Sequence, residues 1–343
     1  MPLHEAITAA IESLAAGRPL STEAARLAIG AILDGEAGDV ETAAFLTALH
    51  VKGETGDELL GAVEAIRERM IPFASGRPAA IDTCGTGGDR AATVNISTGT
   101  AVILAACGVP VVKHGNRAAS GNSGSSDVLT ELGIAIESEP ALLRSTLDDL
   151  GLAFLFAPRF HPGMKTVAPV RRRLPFRTVF NLIGPLCNPA SPAFQLVGAP
   201  QPAHAERMAE VLSRTSTIRR AAVVRGEDGL DEVTLAARTE VLLVEDGRIA
   251  RLSWIPADFG LSEASASALR VENPAQSAAM LRGAFEGEPG PVREFLLANA
   301  AAAIWVVEQT PLPEAVARAA RALDSGEAAR LLERWARRTH GAS

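Results

Sequence analysis

Apolar positions Ile7, Ala10, Ile11 and Leu14 recur at helical spacing, and residues 3–71 read throughout as consecutive short helices. Ser21 and Asp39 stand where N-caps belong, Thr55 with Glu58 makes a capping-box pattern, and Pro72 ends the series. From residue 79 the pattern changes. Short apolar runs at 80–84, 109–113, 152–157 and 221–225 alternate with helical stretches beginning near Ser97 and Ser125. Such alternation predicts parallel strands joined by helical crossovers. Residues 241–245 and 249–254 instead flank Asp246-Gly247, a hairpin signal, and helices resume from Pro274 onward. The segment after His161 is rich in proline (Pro162, Pro169, Pro175, Pro185) with helical runs between, and we expect it to pack back on the N-terminal helices. The expected class is α/β. It comprises a small helical domain, residues 1–72, completed by helices within about 163–190, and an α/β domain, residues 73–343, with a mostly parallel central sheet.

Composition narrows the function without naming it. Hydrophobic residues make up 47% of the 343, enough for a sizeable core. The net charge of -7 argues against a general nucleic-acid binder. Cys84, Cys107 and Cys187 are far apart, with no metal-ligand spacing, which fits a reducing compartment. The first 17 residues are too polar for a signal peptide, and the longest apolar stretch, 100–112, is broken by Gly108 and Pro110. The expectation is a soluble cytoplasmic protein with no membrane partner.

Four segments carry candidate chemistry. DTCGTGGD (82–89) follows a predicted strand, and its glycines let backbone N–H groups approach an anion. NIST (95–98) opens an apolar helix whose N-terminus is a natural phosphate seat. A plain strand–turn–helix connection reads the same way, and neither dinucleotide fingerprint nor P-loop is present. Lys113-His114-Gly115-Asn116-Arg117 ends the next strand and leads into a Ser/Gly/Asn run. Its charges suit phosphates, although such runs are usually surface loops. The only lysines are Lys52, Lys113 and Lys165, which weakens the loop reading here. Asp231-Glu232 can share Mg²⁺ with substrate phosphates, or be an ordinary solvated pair. Among Arg171, Arg172, Arg173 and Arg177, one guanidinium can fork onto a carboxylate, and spacing alone does not choose it.

Taken in order, DTCGTGGD, NIST, KHGNRAASGNSGSSDVLTELG, APRFHPGMK, PVRRRLPFRTVFNLIGPLCNP and GLDEVT resemble the anthranilate phosphoribosyltransferases over nearly the whole chain. The resemblance implies a fold similar to pyrimidine nucleoside phosphorylases and a homodimer associating through the helical domain. It implies transfer of phosphoribosyl from phosphoribosyl pyrophosphate to anthranilate, with Mg²⁺ as cofactor, in tryptophan biosynthesis. By it, phosphoribosyl pyrophosphate would be held by Gly85, Gly88, Asp89, Thr93, Asn95, Ile96, Ser97, Thr98, Lys113, His114, Gly115, Asn116, Arg117 and Ser125. Ser97, Asp231 and Glu232 would hold the metal. Gly85, Asn116, Arg171, His114 and Pro185 would meet anthranilate. No residue is assigned as general acid or base. The chain departs from the family's usual lysine at Asn122, glycine at Pro175 and threonine at Cys187.

Overall fold

A computed structural model of the chain describes residues 3–87, 92–117 and 123–341. Four helices open it: α1 (Leu3–Ala15), α2 (Thr22–Leu33), α3 (Asp39–Lys52) and α4 (Gly56–Arg69). Ser21 caps α2 and Thr55 with Glu58 forms the capping box of α4, as the pattern predicts. Asp39 is corrected: it is the first residue of α3, and Gly38 is the N-cap. A carboxylate there still faces the positive end of the helix dipole. Glu58 is almost fully buried, yet satisfied: it accepts from Leu20 N and Thr55 N and pairs with Lys52 at 2.8 Å. α2 and α4 meet at Gly61, where a Cβ would stand 2.2 Å from Thr22 O.

The chain continues as β1 (Ile81–Gly85), α5 (Ile96–Ala106), β2 (Val111–Gly115), α6 (Ser125–Glu131), α7 (Pro140–Leu150), β3 (Leu152–Phe156), α8 (Ala157–Phe160), α9 (Met164–Arg173) and α10 (Val179–Leu182). Then follow β4 (Phe194–Gly198), α11 (Pro202–Ser213), β5 (Arg220–Gly226), β6 (Thr239–Glu245), β7 (Arg248–Trp254), α12 (Pro274–Phe285), α13 (Pro291–Glu308), α14 (Leu312–Asp324) and α15 (Glu327–Thr339). The sheet order is β3-β2-β1-β4-β5-β6-β7, parallel through β5 and antiparallel at β6 and β7. Asp246 and Gly247 take positive φ in the expected hairpin. β4 was not foreseen: its five residues lie inside a proline-bounded stretch, between Pro192 and Pro200.

Alternate residues of the strands serve two faces. Ala222 and Val224 join the large core with α5 and α13, while Ala221 and Val223 join the core containing Ile29, Phe45 and Ile66 of the first four helices. That second core also takes in Val167 and Val170 of α9 and Val179 and Phe180 of α10, so the proline-rich segment does pack on the N-terminal helices. Among the described residues no single helix is long and apolar enough to cross a membrane.

Candidate active site

The chain runs from β1 outward to β2 and β3, then returns to place β4 on the other side of β1. Such a reversal opens a crevice beyond the strand ends, the usual ligand position in an open α/β sheet. Here the crevice lies beyond Gly85 and Gly198, which pair across β1 and β4. The loop carrying Asp231 crosses this spot closely. A Cβ on Gly85 would be 2.5 Å from Asp231 Oδ2, and one on Gly198 only 1.6 Å from Asp231 O. Both positions therefore require glycine for the acidic loop to reach the strand ends. Gly87 N–H donates to Asp231 Oδ2 at 3.0 Å, and Ser97 N–H donates to Glu232 Oε1 at 3.3 Å. The acidic pair thus meets both the glycine loop and the N-terminus of α5, where negative charge is favoured.

Lys113 projects beneath this crevice, only 2% exposed. Its Nζ donates to Thr83 O and, at 3.2 Å, to Ser97 Oγ. Burial pulls its pKa down, and the nearby charge of Asp82 opposes that pull. Asp82 is itself fully buried, and burial raises its carboxyl to about 6 despite donation from Asn188 Nδ2 at 2.7 Å and from His114 N–H. Asn95 ties the neighbouring loops together, accepting from Ser123 Oγ and Ser277 Oγ and donating to Ser123 O. Thr98 Oγ1 is buried without a hydrogen-bond partner, whereas Ile96 is a core residue.

The other expected phosphate residues lie further out. Thr93 forms an isolated bridge with Arg270. Gly115 closely abuts Ser125, the first residue of α6. Asn116 and Arg117 are exposed; Asn116 Oδ1 accepts from Arg117 N, and Arg117 pairs with Asp127 at 3.6 Å. Gly88, Asp89 and the departing Asn122 lie outside the described residues.

A second group of residues gathers beside β2. Arg171, at the end of α9, stacks its guanidinium over Phe180 of α10 at 5.5 Å. Burial and the neighbouring Arg177 push its pKa down. His114 Nδ1 lies 3.2 Å from Gly184 O, and His114 Nε2 lies 3.1 Å from His161 Nε2. A carbonyl only accepts, so the proton of His114 sits on Nδ1, and His161 donates to His114 Nε2. Burial depresses both rings, to about 3 for His114 and about 4 for His161, so each is neutral near pH 7. Pro185 sits in the buried 3-10 turn Gly184–Leu186, and Cys187 follows with its thiol pushed up to about 12 by burial. The exposed Pro175 precedes Phe176, whose ring stacks on His50 at 4.3 Å.

Five supporting residues were not singled out from sequence: His161 as a partner of His114, Asn188, Gln195, Asn299 and Arg67. Asn299, fully buried on α13, accepts from Val233 N–H at 3.0 Å and donates to Val233 O at 2.9 Å, holding the residue next to Glu232. Arg177 caps the carbonyls of Thr86 and Gly87, joining the glycine loop to the segment after α9. Only the NP of Asn188-Pro189 and Asn299, the lone polar residue amid alanines, offered any sequence signal.

Mg²⁺ prefers oxygen donors and keeps several waters or substrate oxygens. Two adjacent carboxylates beside the Ser97 hydroxyl suit that preference.

Residues 77–329 match the α/β domain of the glycosyl transferase family, and residues 8–70 match that family's helical bundle domain. The anthranilate phosphoribosyltransferase of Symbiobacterium thermophilum is 43% identical over 97% of both chains. That of Novosphingobium aromaticivorans is 46% identical over 92% of this chain and 96% of its own. The crystal structure of the Thermus thermophilus anthranilate phosphoribosyltransferase superposes with a TM-score of 0.89 at 38% identity, covering 97% of this chain and 99% of that one. The Saccharomyces cerevisiae enzyme in complex with phosphoribosyl pyrophosphate and Mg gives 0.90 at 26% identity, covering 97% and 98%.

Proposed function

This chain belongs to the anthranilate phosphoribosyltransferases of the glycosyl transferase family, and from that premise we propose how its own residues divide the reaction. The enzyme transfers the phosphoribosyl group of phosphoribosyl pyrophosphate to the amine of anthranilate, giving N-(5-phosphoribosyl)anthranilate and pyrophosphate in tryptophan biosynthesis. The donor substrate occupies the crevice beyond β1 and β4, against Gly85, Gly88, Asp89, Thr93, Asn95, Ser97, Thr98, Lys113 and Ser125. Ile96 and Gly115 line it through their backbone, with Asn116 and Arg117 at the rim. The observation that carries this reading is the convergence of Asp231 and Glu232 on the glycine loop and the α5 N-terminus.

Asp231, Glu232 and Ser97 would hold Mg²⁺, which would supply charge neutralisation for the departing pyrophosphate. Lys113 and the loop N–H groups add fixed positive potential without reorganising. An aryl amine is uncharged at neutral pH, so its lone pair attacks C1 of the ribose without a strong base. The ribose passes through an oxocarbenium-like state, and positioning supplies most of the rate. Arg171 takes the anthranilate carboxylate, while Gly85, Asn116, Pro185 and the neutral His114 shape the approach of the ring.

The small domain is residues 1–72 together with helices within about 163–190, and 73–343 form the large one. Exposed Val40 and Val51, beside a groove lined by Ile11, Leu14, Ala43, Thr47 and Ala48, support a homodimer through the helical domain. A cytoplasmic location suits the three free cysteines. The test is loss of anthranilate fluorescence on mixing protein, phosphoribosyl pyrophosphate and Mg²⁺, with Arg171→Ala alongside. Consumption that needs all three components, and a variant impaired chiefly in anthranilate KM, are expected. Phosphorolysis of a nucleoside without anthranilate consumption would replace the reading.

A further inference from the structure

Three consecutive carbonyls of one short turn are each tied to a different part of the chain. In Gly184–Leu186, Gly184 O accepts from His114 Nδ1 of β2, and Pro185 O accepts from Gln195 Nε2 of β4 at 3.0 Å. Leu186 O accepts twice from Arg67 of α4, through Nε at 3.2 Å and Nη2 at 2.8 Å. The turn carries Pro185 and follows directly on α10, whose Phe180 underlies Arg171.

Neither Arg67 nor Gln195 is a cheap way to stabilise a fold. Burial pushes the Arg67 guanidinium below its usual range, with the charge of Glu64 opposing, and its hydrogen bonds go to a neutral carbonyl. Gln195 is buried with Oε1 lacking a partner, so its amide is used only as a donor, to Pro185 O. Each satisfies a backbone carbonyl that would be costly to leave unpaired. Together they also tie the turn carrying Pro185 to α4 and β4, beside the Phe180 that underlies Arg171.

We propose that Arg67 and Gln195 are positioning residues for the anthranilate half of the site, with Arg67 making that half depend on the helical bundle. The inference rests on placing anthranilate between Arg171 and Pro185.

Steady-state kinetics on full-length Arg67→Met, Arg67→Lys and Gln195→Met test it, with both substrates varied. Arg67→Met keeps the stem and removes the donors. A lost charged hydrogen bond corresponds to about a tenfold effect, expected here as a rise in anthranilate KM. The KM for phosphoribosyl pyrophosphate and kcat should stay within about twofold of wild type, because the lost bonds go to Leu186 O and Pro185 O and not to the donor crevice. Arg67→Lys should recover part of the loss, and Gln195→Met should shift the same KM. Equal rises in both KM values, or a fall in kcat with both unchanged, overturn the proposal. If Arg67→Met does not fold by circular dichroism, Arg67→Lys and Gln195→Met decide on the same criterion. Arg171→Ala separates the two layers. An unchanged anthranilate KM there removes the acceptor pocket itself, whereas a raised one with silent Arg67 variants removes only the positioning role.

Discussion

The proposed donor half of the site and the proposed acceptor half are built by different means. The donor half lies at strand ends and depends on backbone N–H groups, two glycines that admit the Asp231 loop, and charges set close to them. The acceptor half lies between α9, α10 and β2 and depends on neutral histidines, an aromatic ring and side chains that bind distant carbonyls. A phosphate can be met by a loop of few residues because its charge is large and its oxygens accept from any N–H. A flat aromatic acid needs walls, and walls come from pieces far apart in the chain.

If that contrast holds, the largest loss should follow from removing the donor half's charge. Asp231→Asn with Glu232→Gln keeps an acceptor oxygen for Gly87 and Ser97 but loses both charges. Turnover at limiting Mg²⁺ should fall by about a hundredfold or more, in the range of other losses of transition-state charge stabilisation. A Mg²⁺ titration of rate would show it, and unchanged turnover would mean the metal assignment is wrong.

Asn299→Leu asks whether the donor half is as local as it looks. The side chain is fully buried and pairs with both the N–H and the C=O of Val233. Leaving those two groups unpartnered should cost about 1–3 kcal/mol each, read as a lowered Tm. The Mg²⁺ needed for half-maximal rate should rise several-fold, since Val233, next to Glu232, loses its anchor. A lowered Tm with an unchanged Mg²⁺ requirement would confine Asn299 to packing.

The same contrast explains what could be read before any coordinates. Gly85, Lys113 and the Asp231-Glu232 pair stand in contiguous motifs, so their chemistry shows in the letters. The closeness of those motifs depends on β4, which carries no periodic signal and yet creates the crevice by pairing with β1. Arg171 could not be separated from Arg172 and Arg173 by spacing, because its burial and its contact with Phe180 distinguish it only in the fold. Arg67, Gln195 and His161 were invisible for a stronger reason. Each acts through a bond to a residue between 10 and 119 positions away, and no local pattern encodes such a bond. Asp39 was misplaced by one position because glycine, too, is accepted at an N-cap.

The smallest expected effect concerns acid. His114 and His161 have folded pKa values of about 3 and about 4, both below the 6.5 of a free imidazole, with burial as the first cause. A depressed pKa means the neutral form is favoured on folding. The pair's contribution is therefore complete above pH 6.5 and is lost as pH falls toward 4 and then 3. Asp82 acts in the opposite sense: its value of about 6 is raised, so its contribution is complete below 3.8 and lost as pH rises through 6. Wild-type stability across pH 7 to 4.5 mixes these signs, and only a difference isolates the ring pair. His161→Gln removes one titrating ring, and its acid-induced loss over that interval should be smaller than wild type by on the order of 2 kcal/mol. Denaturant melts at the two pH values measure it. Parallel losses in the two proteins would mean that His161 opens to water before it protonates, and the acceptor half would then be as solvated as the donor half.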